Sequence, residues 1–98
     1  MNFNEKIWQL CSKVPEGKVT TYKEIAVAMK TKAYRSVGNA LNKNPHAPLV
    51  PCHRVVGSTG DLVGFAHGLA AKKKLLEKEG IKIKNNKVGD FEKVFYKF

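Results

Sequence analysis

The sequence predicts a mainly α-helical single domain with short strands, built around a helix-turn-helix pair. Three observations carry this. Apolar residues recur at helical spacing in several separate stretches. Proline and glycine cut the chain into short elements between them. A capping signal opens one helix that only a three-residue break, TKA, separates from the next.

The first helix is expected over residues 4–14, with Asn4 as N-cap and Ile7, Leu10, Cys11 and Val14 on one face. Cys11 then belongs to the core, and Phe3 and Trp8 serve packing. After the turn VPEGK, Thr21 precedes Glu24 by three residues, the spacing at which each side chain satisfies an orphan amide of a helix start. Ile25, Ala26 and Met29 give this helix its inward face. YRSVGNALNKNP reads as the partner helix, stopped at Pro45. Ser36, Gly38, Asn39 and Ala40 make it unusually small-sided, and an interior Gly costs about 1 kcal/mol relative to Ala. Something approaches closely there: another helix, or a nucleic-acid groove.

Residues 47–56, APLVPCHRVV, are too proline-rich for a helix and too apolar for a surface loop, so a buried extended segment is expected. GSTGD is a turn and LVGF a short strand or loop. GLAAKKKLLEKEG is a helix closed by Gly80, with Leu69, Leu75 and Leu76 inward and Lys72, Lys73 and Lys74 on a solvated face. Glu79 lies in its last turn, where the helix dipole disfavours a carboxylate; a task such as holding a histidine would explain it. The tail carries Phe91, Val94, Phe95 and Phe98 at helical spacing and is expected to pack back on the body.

Length and charge narrow the function. With 98 residues and 43% hydrophobic content, residues 1–98 are read as one domain. No apolar run approaches the ~20 residues that span a bilayer, and MNFNEKIWQL does not resemble a signal peptide. The expectation is a cytoplasmic protein, nuclear in a eukaryote, with no membrane partner. Eighteen Lys and Arg against eight Asp and Glu leave a net charge of +10, a surplus that suits a polyanion such as nucleic acid better than solubility alone. Two cysteines, Cys11 and Cys52, do not make a disulfide framework.

The stretch VPCHRVVG sets Cys52 against His53. A structural cysteine needs no such neighbour, whereas a nucleophilic thiol needs a group that favours its thiolate. Alone, the pair is also compatible with chance or with part of a metal site.

TTYKEIA, YRSVGNALNKNP, PCHRVV and GLAAKKKLLEKEG, in this order and spacing, resemble the DNA-binding, active-site domain of the O6-alkylguanine-DNA alkyltransferases. The likeness covers nearly the whole chain and is strongest from Val19 to Gly80. It implies a winged helix-turn-helix-like single domain. It also implies a repair protein that binds double-stranded DNA, flips out O6-alkylguanine and moves the alkyl group irreversibly to its own Cys52, once per molecule. No cofactor, no metal and no obligate protein partner is expected. His53 would take the thiol proton through a water, Glu79 would orient His53, and Tyr22 would donate to the departing guanine. Asn44 would hold the active-site turn. Arg35 would fill the place of the extruded base, while Ser36, Gly38, Asn39 and Ala40 let the helix lie close in the minor groove. Leu41, Phe65, Ala66 and His67 would border the base and alkyl pocket, and Arg54 would make structural or phosphate contacts.

Two departures from that family stand out. Many members carry an additional domain ahead of the first helix, and none is read here. Many also have a tyrosine where GFAHGL carries Phe65, followed by Ala66 and His67. His46 and His67 could suggest zinc, but a set of four ligands at structural spacing is missing. Two other readings compete. One is a non-catalytic alkyltransferase-like lesion-binding protein, in which tryptophan commonly replaces the cysteine. The other is a plain helix-turn-helix DNA-binding protein.

Overall fold

Helix-forming stretches set the frame of the computed structural model, which describes residues 2–44, 50–63 and 68–98. Helix α1 spans Phe3–Ser12. Its cap is Asn2 rather than Asn4: the Asn2 side chain accepts from the Glu5 amide at 2.8 Å, and the Glu5 carboxylate accepts from the Asn2 amide at 3.2 Å. This reciprocal box satisfies two orphan donors, which Asn4 inside the first turn could not do. Ile7 and Cys11 are buried, Phe3 is exposed, and Trp8 donates its indole N–H to the Ala40 carbonyl at 2.7 Å.

Strand β1 (Thr20–Thr21) runs directly into α2 (Tyr22–Ala28), where the Thr21 hydroxyl accepts from the Glu24 amide at 3.0 Å. Ile25 and Ala26 are buried and Met29 packs against the same cluster, as the spacing predicts. The helix closes in a Schellman arrangement: Thr31 donates to the Ala26 carbonyl and Lys30 to that of Val27. Lys30 takes the left-handed position usually given to Gly, at φ 58°. Helix α3 (Tyr34–Asn42) follows, ending before Pro45, and turns Val37, Ala40 and Leu41 into the core. The helix pair read from the sequence is therefore present.

The segment expected to be extended is not so throughout. Cys52–Arg54 form a 3₁₀ turn, held by a bond from the Arg54 amide to the Pro51 carbonyl at 2.9 Å. Residues 47–49 of that segment lie outside the described residues, and among the rest only Val55–Val56 (β2) form a strand, pairing parallel with β1 in the register Thr20↔Val55 and Thr21↔Val56. Proline restricts its own φ without forbidding a turn just after it, and here the turn begins one residue beyond Pro51.

Helix α4 (Leu69–Lys78) ends at Gly80, whose φ of 88° supplies the left-handed turn. Two expectations fail along it. Leu69 is 41% exposed, and Lys72, read as solvated, is fully buried. Lys72 stands four residues before the buried Leu76 and so shares its face.

The tail does pack back on the body. Strands β3 (Ile83–Lys84) and β4 (Lys87–Val88) form an antiparallel hairpin, followed by α5 (Phe91–Val94). Phe95 leaves the helical pattern to bridge Val19, whose amide donates to Val94 and whose carbonyl accepts from Tyr96. Phe98 remains exposed. Two apolar clusters result. One joins α1, α2, α3 and β2 and includes Cys11, Leu41 and Cys52. The other joins Val19, Val56 and Leu62 to Leu76, Ile81 and Val88. Among the described residues no helix is long and apolar enough to cross a membrane.

Candidate active site and DNA-facing helix

The 3₁₀ turn places Cys52 at the edge of the first cluster, 9% exposed, with Leu41 in the same cluster and Tyr22 packed against it. The turn is pinned at Val50, whose carbonyl accepts from the Cys52 amide at 2.8 Å and from the Asn44 side chain at 2.8 Å. Asn44 thus ties the end of α3 to the residues carrying the thiol.

Behind the turn lies a partly buried polar assembly. His53 Nε2 is 2.8 Å from Glu79 Oε2, and Arg54 grips the same carboxylate with Nε on Oε1 at 2.8 Å and Nη2 on Oε2 at 2.7 Å. Its remaining fork reaches the Val14 carbonyl at 2.9 Å, which makes Arg54 a structural brace. Partial burial works against ionisation of Glu79, but the hydrogen bonds from Arg54 and His53 outweigh it and hold the carboxyl below its ordinary value. Burial is the main cause that lowers His53, aided by the charges of Arg54 and Lys72 and opposed by Glu79. The chemical consequence is specific. A bidentate guanidinium already balances Glu79, so the carboxylate orients a neutral imidazole rather than holding a cation. With Nε2–H donated to Glu79, Nδ1 is left as the basic nitrogen.

Lys72 closes the assembly from α4. Its ammonium donates to the Val55 carbonyl at 2.6 Å and to the Val63 carbonyl at 2.8 Å, and lies 5.8 Å from the centre of the Tyr22 ring. Burial pushes Lys72 down to about 8, against the attraction of Cys52 and Cys11. The Val63 carbonyl also accepts from the Tyr22 hydroxyl at 3.1 Å, so Lys72 and Tyr22 share one acceptor. Burial pushes Tyr22 up to about 12, which keeps it a proton donor at neutral pH. The sequence reading missed Lys72. The available signal was its four-residue spacing to Leu76, hidden by the two lysines beside it.

Cys11 sits in the same cluster with no comparable support, and burial pushes its thiol up to about 12. Among the described residues no group of three or more His, Cys, Asp and Glu could hold a metal ion.

Helix α3 divides by face. Arg35, Ser36 and Asn39 are exposed, whereas Ala40 is buried and accepts from Trp8, so Ala40 belongs to the core and not to the outer face. A methyl group on Gly38 would meet nothing within 4 Å among the described residues, so packing against them does not require a glycine there. At the start of α2 and α3 an open cleft of about 410 Å³ is lined by Tyr22, Lys23, Tyr34 and Ser58. Phe65, Ala66, His67 and His46 lie outside the described residues.

Residues 2–81 match the family described as 6-O-methylguanine DNA methyltransferase, DNA binding domain. The chain belongs to that family. Among curated proteins it is similar to methylated-DNA–protein-cysteine methyltransferases. It is 49% identical to that of Methanosarcina barkeri over 79 residues, which cover 80% of this chain and 50% of the relative. It is 48% identical to that of Sulfolobus acidocaldarius over 82 residues, covering 84% and 52%. The chain thus spans about half the length of these relatives. Among solved structures it resembles Mycobacterium tuberculosis OGT in complex with DNA, with a TM-score of 0.77 and 40% identity over 81% of this chain and 50% of that one. It also resembles S. pombe Atl1 in complex with damaged DNA containing O6-carboxymethylguanine, with a TM-score of 0.85 and 29% identity. That second match covers 98% of this chain and 95% of Atl1. Family membership agrees with the resemblance carried by the four motifs, and these neighbours share the helix-turn-helix-like domain.

Proposed function

We propose that this protein binds duplex DNA, extrudes O6-alkylguanine and transfers the alkyl group to Cys52 in a single turnover. The observation that carries the reading is the hydrogen-bonded pair of His53 and Glu79 at 2.8 Å, set on the turn that holds Cys52. In the reaction the Cys52 thiol loses its proton to His53 Nδ1 through a water. Its sulfur then forms a bond to the alkyl carbon as the carbon–O6 bond breaks. The electron pair of the broken bond stays on guanine, which takes the Tyr22 hydroxyl proton as that hydroxyl leaves the Val63 carbonyl, and the proton held by His53 restores the tyrosine through solvent. The product is a thioether, which no group in the site can hydrolyse, so each chain acts once. Arg54 positions Glu79, and Asn44 positions the turn.

Duplex binding rests on the outer face of α3. Gly38 costs about 1 kcal/mol in a helix and has no neighbour among the described residues to justify it. A glycine that packing does not need is explained by close approach of a partner outside the molecule. Arg35, Ser36 and Asn39 flank it on the exposed side, Arg35 being the residue suited to fill the vacated stack. Minor-groove readout is largely blind to sequence, which fits inspection of any duplex for damage.

A second reading, lesion binding without transfer, is favoured by one observation: the match to Atl1 extends over almost the full length of both chains. Incubation with a duplex carrying labelled O6-methylguanine separates the two. Transfer predicts one methyl per chain, located by peptide mapping between Pro51 and Arg54. Binding of the lesion with no label on protein would leave the second reading standing instead.

A further inference from the structure

The family match ends at Ile81, and the hairpin beyond it carries a feature that the chemistry at Cys52 does not use. Asn85 and Asn86 both have positive φ, 53° and 58°, as a tight two-residue hairpin turn demands. This turn fixes Lys84 directly opposite Lys87. Alternation along the strands turns Ile83 and Val88 toward the second apolar cluster and Lys84 and Lys87 the other way. Lys82, two residues before Lys84, shares that outward face, and all three lysines are exposed. Like charges directly opposite one another weaken a hairpin. The carboxylate of Asp61 answers only Lys87, at 3.6 Å and largely in solvent. Lys82 and Lys84 have no ion pair among the described residues, so a row of lysines held together by this turn, at a cost in stability, leaves most of its charge for an anion from outside the chain.

Its position says which anion. The hairpin is fastened to the Gly57–Asp61 turn: the Val88 amide donates to Gly60, the Leu62 amide donates to Asn86, and Asp61 bridges Lys87. Ser58 of that same turn lines the cleft beside Tyr22, Lys23 and Tyr34, at the entrance to α2 and α3. The hairpin is therefore joined through this turn to the cleft beside the helix pair, and a rod with a charge every ~1.7 Å of its axis extends well beyond a single helix. We propose that the lysine face of this hairpin is a second DNA-binding surface that contacts backbone phosphates beside the lesion site. It rests on the duplex-binding reading given above.

The test uses the full chain, an undamaged duplex and a titration of salt, with Lys84→Glu compared against Lys73→Glu on the exposed side of α4. Both variants change net charge equally. For Lys84→Glu the slope of log affinity on log salt should fall by about 0.9, the loss of one phosphate contact. Its thermal midpoint should stay level or rise, because the introduced carboxylate would face Lys87 as an opposite charge. For Lys73→Glu the slope should stay near that of the wild type. An unchanged slope for Lys84→Glu, or an equal fall in both variants, overturns the second surface while leaving binding through α3 intact. A wild-type chain with no salt-dependent duplex affinity would remove the duplex reading itself, and this surface with it.

Discussion

Cys11 and Cys52 belong to one apolar cluster, yet their surroundings differ in kind. Around Cys11 the first helix offers apolar packing, and burial is the largest influence on the thiol, with no hydrogen-bonded base beside it among the described residues. Around Cys52 the chain gathers buried and partly buried polar groups from the end of α3, the 3₁₀ turn, α4 and its C-cap, each hydrogen-bonded. Among the described residues no buried side-chain nitrogen or oxygen lacks a partner. The contrast teaches that burial does not make a cysteine either inert or reactive. What matters is whether the neighbours can take its proton and tolerate its charge.

Exchanging the thiols one at a time should give the largest effect. Cys52→Ser should still bind duplex DNA but transfer no methyl group, because a hydroxyl is too weak a nucleophile at neutral pH. Cys11→Ala should keep transfer to Cys52 and lose about 1–2 kcal/mol of stability through the small void it leaves. Denaturant melts combined with intact-mass analysis after reaction measure both. Methyl transfer that survives in Cys52→Ser, or disappears in a folded Cys11→Ala, would reverse the roles assigned to the two sides.

The polar support can be broken more gently at Glu79. Glu79→Gln keeps an acceptor for His53 but removes the charge, and single-turnover transfer should slow by about 10²-fold, the low end of what acid–base assistance contributes. A structural defect could slow the reaction as well, so the pH profile is the sharper measure. Glu79 raises the tendency of His53 to hold a proton, although burial lowers it overall. Without the carboxylate charge, the acid limb of the rate profile should move to lower pH. A limb that stays in place would mean that Glu79 does not act through His53.

How much of this contrast the sequence carries depends on how local each signal is. The Thr21 half of the capping box expected for α2, the helix pair and the inward positions of Ile7, Cys11, Ile25 and Ala26 follow from spacing within one or two turns, and these are present as expected. Glu79 was legible because a carboxylate at a helix end is locally unfavourable and so asks for a distant partner. The 3₁₀ turn was not, since the prolines around Cys52 fit an extended chain equally well until Asn44 binds the Val50 carbonyl. Lys72 was hidden for another reason. Beside Lys73 and Lys74 it looks like one more solvated charge, and only the packing of α4 on the 3₁₀ turn and β2 makes it the buried end of an apolar stripe. Lys30 shows the opposite limit: its left-handed backbone follows from the Schellman bonds, where a sequence reader would look for Gly.

The smallest expected effect concerns the charge of Lys72, which is coupled to both thiols. Its folded value of about 8 lies below the ordinary lysine value of 10.5. Below pH 8 both folded and unfolded chains hold the proton, and the folded chain bears the full cost of a buried ammonium. Between these values the unfolded chain keeps a proton that the folded one has released, so stability rises with pH. Cys11 and Tyr22 act in the reverse sense, because their folded protons persist to about 12 while the unfolded thiol begins to ionise near 9. The clean window is therefore pH 8 to 9. Across it the wild type should gain up to about 1 kcal/mol relative to Lys72→Met, whose side chain does not titrate. The comparison is made as a difference of two melts at each pH, so the constant cost of leaving the Val55 and Val63 carbonyls without their donor cancels. Parallel stability curves for the two proteins would mean that Lys72 stays charged throughout, and that the polar side of the cluster tolerates a cation at no cost that pH can reveal.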